Sequence, residues 1–285
     1  MKKLMALSGH CLLEISSGEK NPFPRSKRLP EYLVLLVHEG SGAWQADFAT
    51  CHFEGPAILF ATPLQAVQIK SSGPISWSLI QFHSDFYCIE AHHDEVACNG
   101  LLFNNIYKDP AINLTTVFHS SFKQIFDQMA AEFDNKTPSD IVLRAYLQLV
   151  LAKSSTHKIR EEKEVASAGR KDAKMEAFRK LLDKHFLQLH KPAEYADLLA
   201  MTPNALSKKS IGYFGKTPSQ LIQERIILEA KKLLHLTQLS IKEIAFRLEF
   251  SDEYYFSRYF KKAVKESPQS FRKKVGISEV AYSSM

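Results

Sequence analysis

Between Tyr195 and Arg272 the apolar and polar positions keep a helical rhythm that occurs twice, offset by 49 residues early and 50 later. Ala196 and Leu199 recur as Ala245 and Leu248; Leu206, Ser207, Lys208 and Pro218 recur as Phe256, Ser257, Arg258 and Pro268. Each copy reads as a short helix, a tight turn and a second helix, the arrangement that can lay a helix in a DNA major groove. Between the copies, Pro218 to Leu236 keeps one apolar period through Leu221, Ile222, Ile226, Leu233 and Leu236, with proline suited to the first helical turn. Its 19 residues would span about 28 Å at 1.5 Å each, and successive major-groove openings on one face of B-DNA lie roughly 34 Å apart.

Upstream the period shortens. Leu33–Val37, Ala43–Phe48, Ala57–Phe60, Val67–Ile69 and Ser76–Phe82 read as short strands, punctuated by Gly40-Ser41-Gly42, Gly55-Pro56, Thr62-Pro63 and Ser72-Gly73-Pro74. Many short strands with turn signals predict a small barrel or sandwich. Two amphipathic helices follow. One carries Val117, Phe118, Phe122, Ile125, Phe126, Met129 and Phe133; the other, starting at Thr137-Pro138-Ser139-Asp140, carries Ile141, Leu143, Tyr146, Leu147, Val150 and Leu151. Faces this apolar must be covered, by their own domain or by a second subunit. The charged stretch 154–174 lacks large apolar residues and reads as a linker, part of it open to solvated helix. The predicted organisation is therefore α+β in two domains: 1–153 a β-barrel followed by helices, 154–174 a linker, and 175–285 an all-α tandem helix-turn-helix.

Charge supports this division. Up to residue 153, 12 Lys and Arg stand against 15 Asp and Glu, and beyond it 25 stand against 16, so the net +6 divides into −3 and +9. A basic domain gains affinity for DNA through counterion release, and its binding weakens steeply with salt.

Helical periodicity sorts the groove-facing side chains. In the first copy Leu206, Ser210 and Tyr213 form the inward stripe, and Asn204, Ser207, Lys208 and Ile211 the outward one. In the second, Phe256, Tyr259, Phe260 and Ala263 face inward, and Tyr254, Ser257, Arg258 and Lys261 outward. Asn can pair bidentately with adenine, and Arg or Lys with guanine. Lys209, Lys262 and the helix N-terminal amides suit phosphates, which position without specifying sequence.

At these residues the chain resembles the AraC/XylS family of bacterial transcription regulators, densely over about residues 174–274, through YADLLAMTPNALSKK, GKTPSQLIQERIILEAKKLL, LSIKEIAFRLEFSDEYYFSRYFKK and SPQSFR. The resemblance implies two helix-turn-helix units on a connecting helix, with DNA contacts at Asn204, Ser207 and Lys208 and at Glu253, Tyr254, Ser257 and Arg258. It also implies activation through RNA polymerase and a homodimer. Two positions depart from the pattern: Glu249 and Lys265 stand where glycine is usual. A left-handed backbone there would add of order 1 kcal/mol of strain and would leave the second unit looser.

The strand order, with HEGSGAW and EGPAILFATPLQ, resembles the cupin-like effector domain that precedes this DNA-binding unit in the family. A barrel of that type can enclose one small-molecule effector. Trp44, Phe60, Trp77 and Phe82 are the candidate lining, although aromatic residues in strands are more often plain core. Pro63-Leu64-Gln65 leads to Ala66-Val67 where relatives often place His, so the polar recognition of relatives, and a ligand with it, can be absent here.

Cys51-His52, His83, Cys88, His92-His93 and Cys98 offer soft and imidazole ligands, but their spacing matches no common zinc motif, and no metal or cofactor is expected. G-x-S-x-G, a phosphate-cradling Gly-rich loop and H-E-x-x-H do not occur. The four cysteines lack paired short spacings, no apolar run approaches ~18 residues, and Met1-Lys2-Lys3 precedes only a brief apolar run; a cytoplasmic protein without membrane contact is expected. The leading expectation is a sequence-specific regulator. Its rivals are a cupin-type metalloenzyme with a DNA-targeting domain and a dimeric DNA-binding protein without an effector.

Overall fold

The computed structural model describes residues 1–7, 9–47, 49–63, 65–87, 89, 101–103, 105–107, 109–167 and 172–275, with no side chains described from 162 to 171 or at 275. The described residues divide into two compact units, the first within 1–105 and 109–161, the second within 106–107 and 162–275. Phe48, Leu64, Cys88, His92, His93 and Cys98, all used in reading the sequence, lie outside the described residues.

Among the described residues of the first unit, ten strands form two antiparallel sheets. β1 (Lys2–Met5), β2 (Cys11–Gly18), β9 (Ser76–Phe82), β4 (Tyr32–Glu39), β7 (Ala57–Ala61) and β10 (Ala111–Asn113) make the larger sheet, in that spatial order. β3 (Lys27–Arg28), β8 (Ala66–Lys70), β5 (Ser41–Ala46) and β6 (Ala49–Glu54) make the smaller. Helices α1 (Thr116–Glu132) and α2 (Asp140–Ser167) follow. The expected barrel is thus open: among the described residues the ladders form two separate sheets, packed as a sandwich.

The larger sheet is the middle layer, and its strands show why. Along β4, Val34 and Leu36 enter a core shared with Phe122, Ile125, Phe126 and Met129 of α1 and with Leu143, Leu147, Val150 and Leu151 of α2. Leu33, Leu35 and Val37 enter a second core shared with Trp44, Phe53, Val67 and Ile69 of the smaller sheet. Successive strand residues face opposite sides, so a strand covered on both faces becomes a continuous apolar run, here Tyr32–Val37, all buried. The turn from β4 to β5 requires glycine: Gly40 has φ +104°, and a Cβ there would lie 2.7 Å from the Pro74 carbonyl oxygen.

This layering corrects the expected effector lining. Phe60 and Phe82 belong to the helix-side core, where Phe103 packs edge-on to both rings. Trp44 is fully buried in the core between the sheets and donates from Nε1 to the Phe60 carbonyl at 3.3 Å. Trp77 packs at the edge of that same core and donates to the Lys20 carbonyl at 2.6 Å. The four aromatics are split between two cores and line no common pocket; in a sheet covered on both faces, residues of opposite parity point apart.

Of the two covers open to the helices, their own domain takes the inner faces. Val117 and Ile141 remain about four-fifths exposed and Leu149 nearly half. α2 continues to Ser167, through most of the stretch read as a linker. Small Ser154 and Ser155 bury against the domain where large apolar residues were not needed, and Ser154 returns its hydroxyl proton to the Val150 carbonyl at 2.8 Å. The buried Lys158 ammonium donates to the carbonyls of Ala111 (2.6 Å) and Asp109 (3.2 Å), tying the helix to β10.

The second unit is all-helical: α3 (Ala173–His185), α4 (Pro192–Leu198), α5 (Pro203–Phe214), α6 (Pro218–Leu236), α7 (Ile241–Arg247), α8 (Glu253–Val264) and α9 (Pro268–Val275). α6 runs between the bounds that its apolar period predicts. It is buried along its length through Leu221, Ile222, Ile226, Ile227, Ala230, Leu233 and Leu234. It packs against α3, α4 and α5 on the side of the first copy and against α7, α8 and α9 on that of the second.

Candidate nucleic-acid interface

The two copies are built on the same hydrogen-bonded frame. Each first helix opens with a glutamate three residues in that accepts from a backbone amide: Lys191 N to Glu194 at 2.7 Å, and Ser240 N to Glu243 at 2.7 Å. Each closes on a left-handed residue, Ala200 (φ +48°) or Glu249 (φ +57°), and the following amide returns to the helix, Met201 to the Ala196 carbonyl at 2.9 Å and Phe250 to the Ala245 carbonyl at 3.0 Å. The second helices, α5 and α8, begin with side-chain caps: Ala205 N donates to Thr202 Oγ1 at 3.2 Å, and Tyr255 N to Asp252 Oδ1 at 2.7 Å. They end on Gly215 (φ +69°) and Lys265 (φ +66°).

Glu249 and Lys265 therefore do adopt the left-handed backbone that favours glycine. The first unit meets the same demand at Ala200 with a side chain and at 215 with glycine. Since Lys265 is exposed, Lys265→Gly relieves steric strain and loses no packing. The expected gain is about 0.5–1 kcal/mol, the relief of roughly 1–2 kcal/mol being partly offset by the greater freedom of glycine when unfolded. The converse, Gly215→Ala, should cost about 1 kcal/mol. Urea titration of the C-terminal unit checks both.

On this frame the inward stripes are buried. Leu206, Ser210, Phe256 and Phe260 are fully inaccessible and Ala263 nearly so, while Tyr213 and Tyr259 are partly buried. Ser210 donates to the Lys216 carbonyl at 2.7 Å, closing the turn into α6. Tyr213 donates to Glu176 of α3 at 2.9 Å; burial, with this bond second, pushes its phenol up to about 12. Phe250 collects the rings of Tyr255, Phe256 and Tyr259 at 5.2–5.5 Å between centroids.

The outward stripes are open. Asn204, Lys208 and Ile211 in α5, and Tyr254, Arg258 and Lys261 in α8, are exposed; Ser207 and Ser257, 50 residues apart, are equally half-buried at the base of their stripes. Glu253 is half-buried at the first turn of α8, and Lys262 is exposed beside Lys261. One phosphate candidate is otherwise engaged: the Lys209 ammonium pairs with Asp172, the residue that caps α3 by accepting from Lys174 N and Met175 N. The Lys209 hydrogen bond, before all else, holds the Asp172 carboxyl below the usual carboxylate range.

Three supporting residues go unmarked in the sequence. Arg272 donates from Nε to the Leu234 carbonyl at 3.1 Å and from the guanidinium to that of Thr237 at 3.5 Å, closing the C-terminus of α6 with a cation from α9. Lys216 forms a 2.7 Å ion pair with Glu224 of α6, their side chains only 15% and 9% exposed. The local cue, an acid eight residues after a lysine across a helix start, carries no sequence signature.

A protein with two such helices, each presented by a capped helix and turn, is a tandem helix-turn-helix protein. Residues 195–274 match the model of a family described as a helix-turn-helix domain. The chain is 27% identical over 257 residues to the HTH-type transcriptional activator RhaS of Escherichia coli O81 (strain ED1a), covering 80% of this chain and 88% of that relative. It is 24% identical over 152 residues to RhaS of Enterobacter sp. (strain 638), covering 53% and 52%. The chain spans about half the length of most of the curated relatives that it matches. Among solved structures, the C-terminal domain of AraT, a response regulator from Geobacillus stearothermophilus, is 32% identical with a TM-score of 0.36, covering 38% of this chain and 90% of that one. ToxT from Vibrio cholerae O395 is 16% identical with a TM-score of 0.41, covering 92% and 98%. Residues 195–274 form a helix-turn-helix domain of the AraC/XylS type.

Among the described residues, no helix is long and apolar enough to cross a membrane.

Proposed function

We propose that this chain is a sequence-specific transcription regulator of the activator kind, in which α5 and α8 enter consecutive major-groove segments of double-stranded DNA. The observation that carries the reading is the correspondence of the outward stripes: on two frames closed by corresponding backbone hydrogen bonds, Ser207 and Lys208 in α5 occupy the places of Ser257 and Arg258 in α8. Asn204, Lys208 and Arg258 read base edges, with Ser207, Ser257, Glu253 and Tyr254 lining the approach. Lys261, Lys262 and, on leaving Asp172, Lys209 hold phosphates. Contact with RNA polymerase, action in the cytoplasm and non-enzymatic function are carried over from the AraC/XylS resemblance.

The N-terminal unit serves dimerisation. Val117 on α1, and Ile141 and Leu149 spaced eight apart on α2, leave apolar surface exposed after the inner faces are satisfied, and a second copy is the occupant that a symmetric regulator supplies. A small-molecule effector held there would act only through unequal affinity for two conformations.

The test is fluorescence anisotropy at fixed salt on a duplex chosen by selection from random sequence. Arg258→Ala and Lys208→Ala are each expected to weaken specific binding by about 1–3 kcal/mol, the worth of a bidentate base contact, and to relax preference at one position of the site. Wild-type affinity and preference in both variants would remove these contacts.

A further inference from the structure

We propose that His10, His83 and Asp85, brought together by the antiparallel pairing of β2 with β9, form a binding site for a divalent transition-metal ion of the zinc class. In sequence His10 stands more than seventy residues from the other two, so spacing could not reveal the set. The ladder supplies the meeting. Leu13 pairs with Phe82, and the His83 amide continues the ladder by donating to the Leu12 carbonyl at 2.9 Å. The residue before β2 and the turn after β9 are thereby fixed side by side.

The two distances from the imidazole nitrogens to the carboxylate oxygen match the edge of a coordination sphere. His10 Nε2 lies 3.4 Å and His83 Nδ1 3.2 Å from Asp85 Oδ2. The three residues' ligand atoms all fall within 4.8 Å of one another. Zinc bonds imidazole nitrogen and carboxylate oxygen at about 2.0–2.2 Å, which sets the edge of a tetrahedron at about 3.4 Å. The imidazole planes are inclined at 58° with centroids 4.8 Å apart, so the rings are not stacked and both can turn a nitrogen towards one point.

The donor set also favours a cation. His83 Nδ1 faces both Asp85 Oδ2 and the Asp85 amide, which donates to it at 3.2 Å. A metal ion bound there would take the Nδ1 lone pair in place of the amide hydrogen, together with the carboxylate oxygen beside it. Two imidazoles and one carboxylate suit zinc and its neighbours over calcium or magnesium, which prefer all-oxygen shells. The side chains are 38% exposed for His10 and 15% for His83 and Asp85, leaving an approach for the ion. Three protein ligands leave a fourth position for water or a small ligand, as in non-structural zinc sites. If the regulator reading holds, such an ion would act as a chemical input to the N-terminal unit; the binding claim itself does not depend on that reading.

The test is equilibrium dialysis of the full chain, freed of metal by chelation, against Zn2+, with Ca2+ as the control. One Zn2+ per chain is expected, with affinity falling at least about tenfold in His83→Ala and in Asp85→Asn. Bound Co2+ should show tetrahedral visible absorption that the same substitutions abolish. His10→Ala, which changes a residue outside the strands, guards against misfolding: its circular dichroism in chelator should match wild type while its zinc affinity falls. Substoichiometric zinc in the wild type, or one equivalent retained at full affinity in all three variants, would overturn the proposal, leaving a His–Asp ion pair or a site elsewhere. Since no DNA is present, either outcome leaves the DNA-binding reading to its own test.

Discussion

Phe256→Ala should destabilise the C-terminal unit by about 3–5 kcal/mol, the cost of removing a large buried ring and leaving a cavity. Phe256 is fully inaccessible, packs on Phe250 at 5.3 Å and on Phe260 at 6.0 Å, and holds α8 against the rest of the unit. Two residues earlier, Tyr254 is 76% exposed, and Tyr254→Ala should change stability by no more than about 0.5 kcal/mol. The pair of measurements, by urea unfolding, tests the assignment of inward and outward stripes independently of DNA. Similar costs for both would mean that α8 is rotated from the position described.

Glu224→Ala should cost about 3 kcal/mol, because it strands the Lys216 ammonium in a nearly buried setting with a backbone carbonyl acceptor remaining. The double variant Glu224→Met with Lys216→Met should recover most of that loss, since apolar replacement of a buried pair is often neutral or stabilising. A double-mutant cycle read by urea unfolding separates the cases. If the double variant is as unstable as the sum of the singles, the pair acts through something other than compensation of buried charge. Because the pair joins the turn after α5 to α6, its loss should also loosen the first reading helix.

The contrast between the units shows what a sequence can disclose. The C-terminal unit is legible because its determinants are local: caps at Thr202, Thr217, Ser240 and Asp252 mark helix starts, each accepting from an amide three residues on. The apolar period of α6 fixes both its ends, and repetition lets each copy check the other. The N-terminal unit depends on pairing between distant segments. β9 is read at its observed bounds, yet β2, its partner, lies more than sixty residues earlier and its Leu13 and Ile15 alternation is short. β1 and β10 are brief edge strands with weaker patterns still.

Other misreadings have the same origin. Trp44, Phe60, Trp77 and Phe82 look like one aromatic set until strand parity sends them to two cores. Ser154, Ser155 and Lys158 look like linker composition until the close approach of α2 to β10 explains small residues and a carbonyl-bound lysine. Lys209 shows its charge in the sequence but not its pairing with Asp172, 37 residues earlier. In each case side-chain identity was visible and its partner was not.

The measurement that bears most directly on the central claim is hydroxyl-radical footprinting of the wild-type chain on its selected duplex. Two helices carried by one 19-residue connecting helix should give two protected patches per bound chain on the same face of the duplex, centred about one helical turn, 10–10.5 base pairs, apart. Arg258→Ala should thin one patch and Lys208→Ala the other. A single patch, or two patches on opposite faces, would contradict the account.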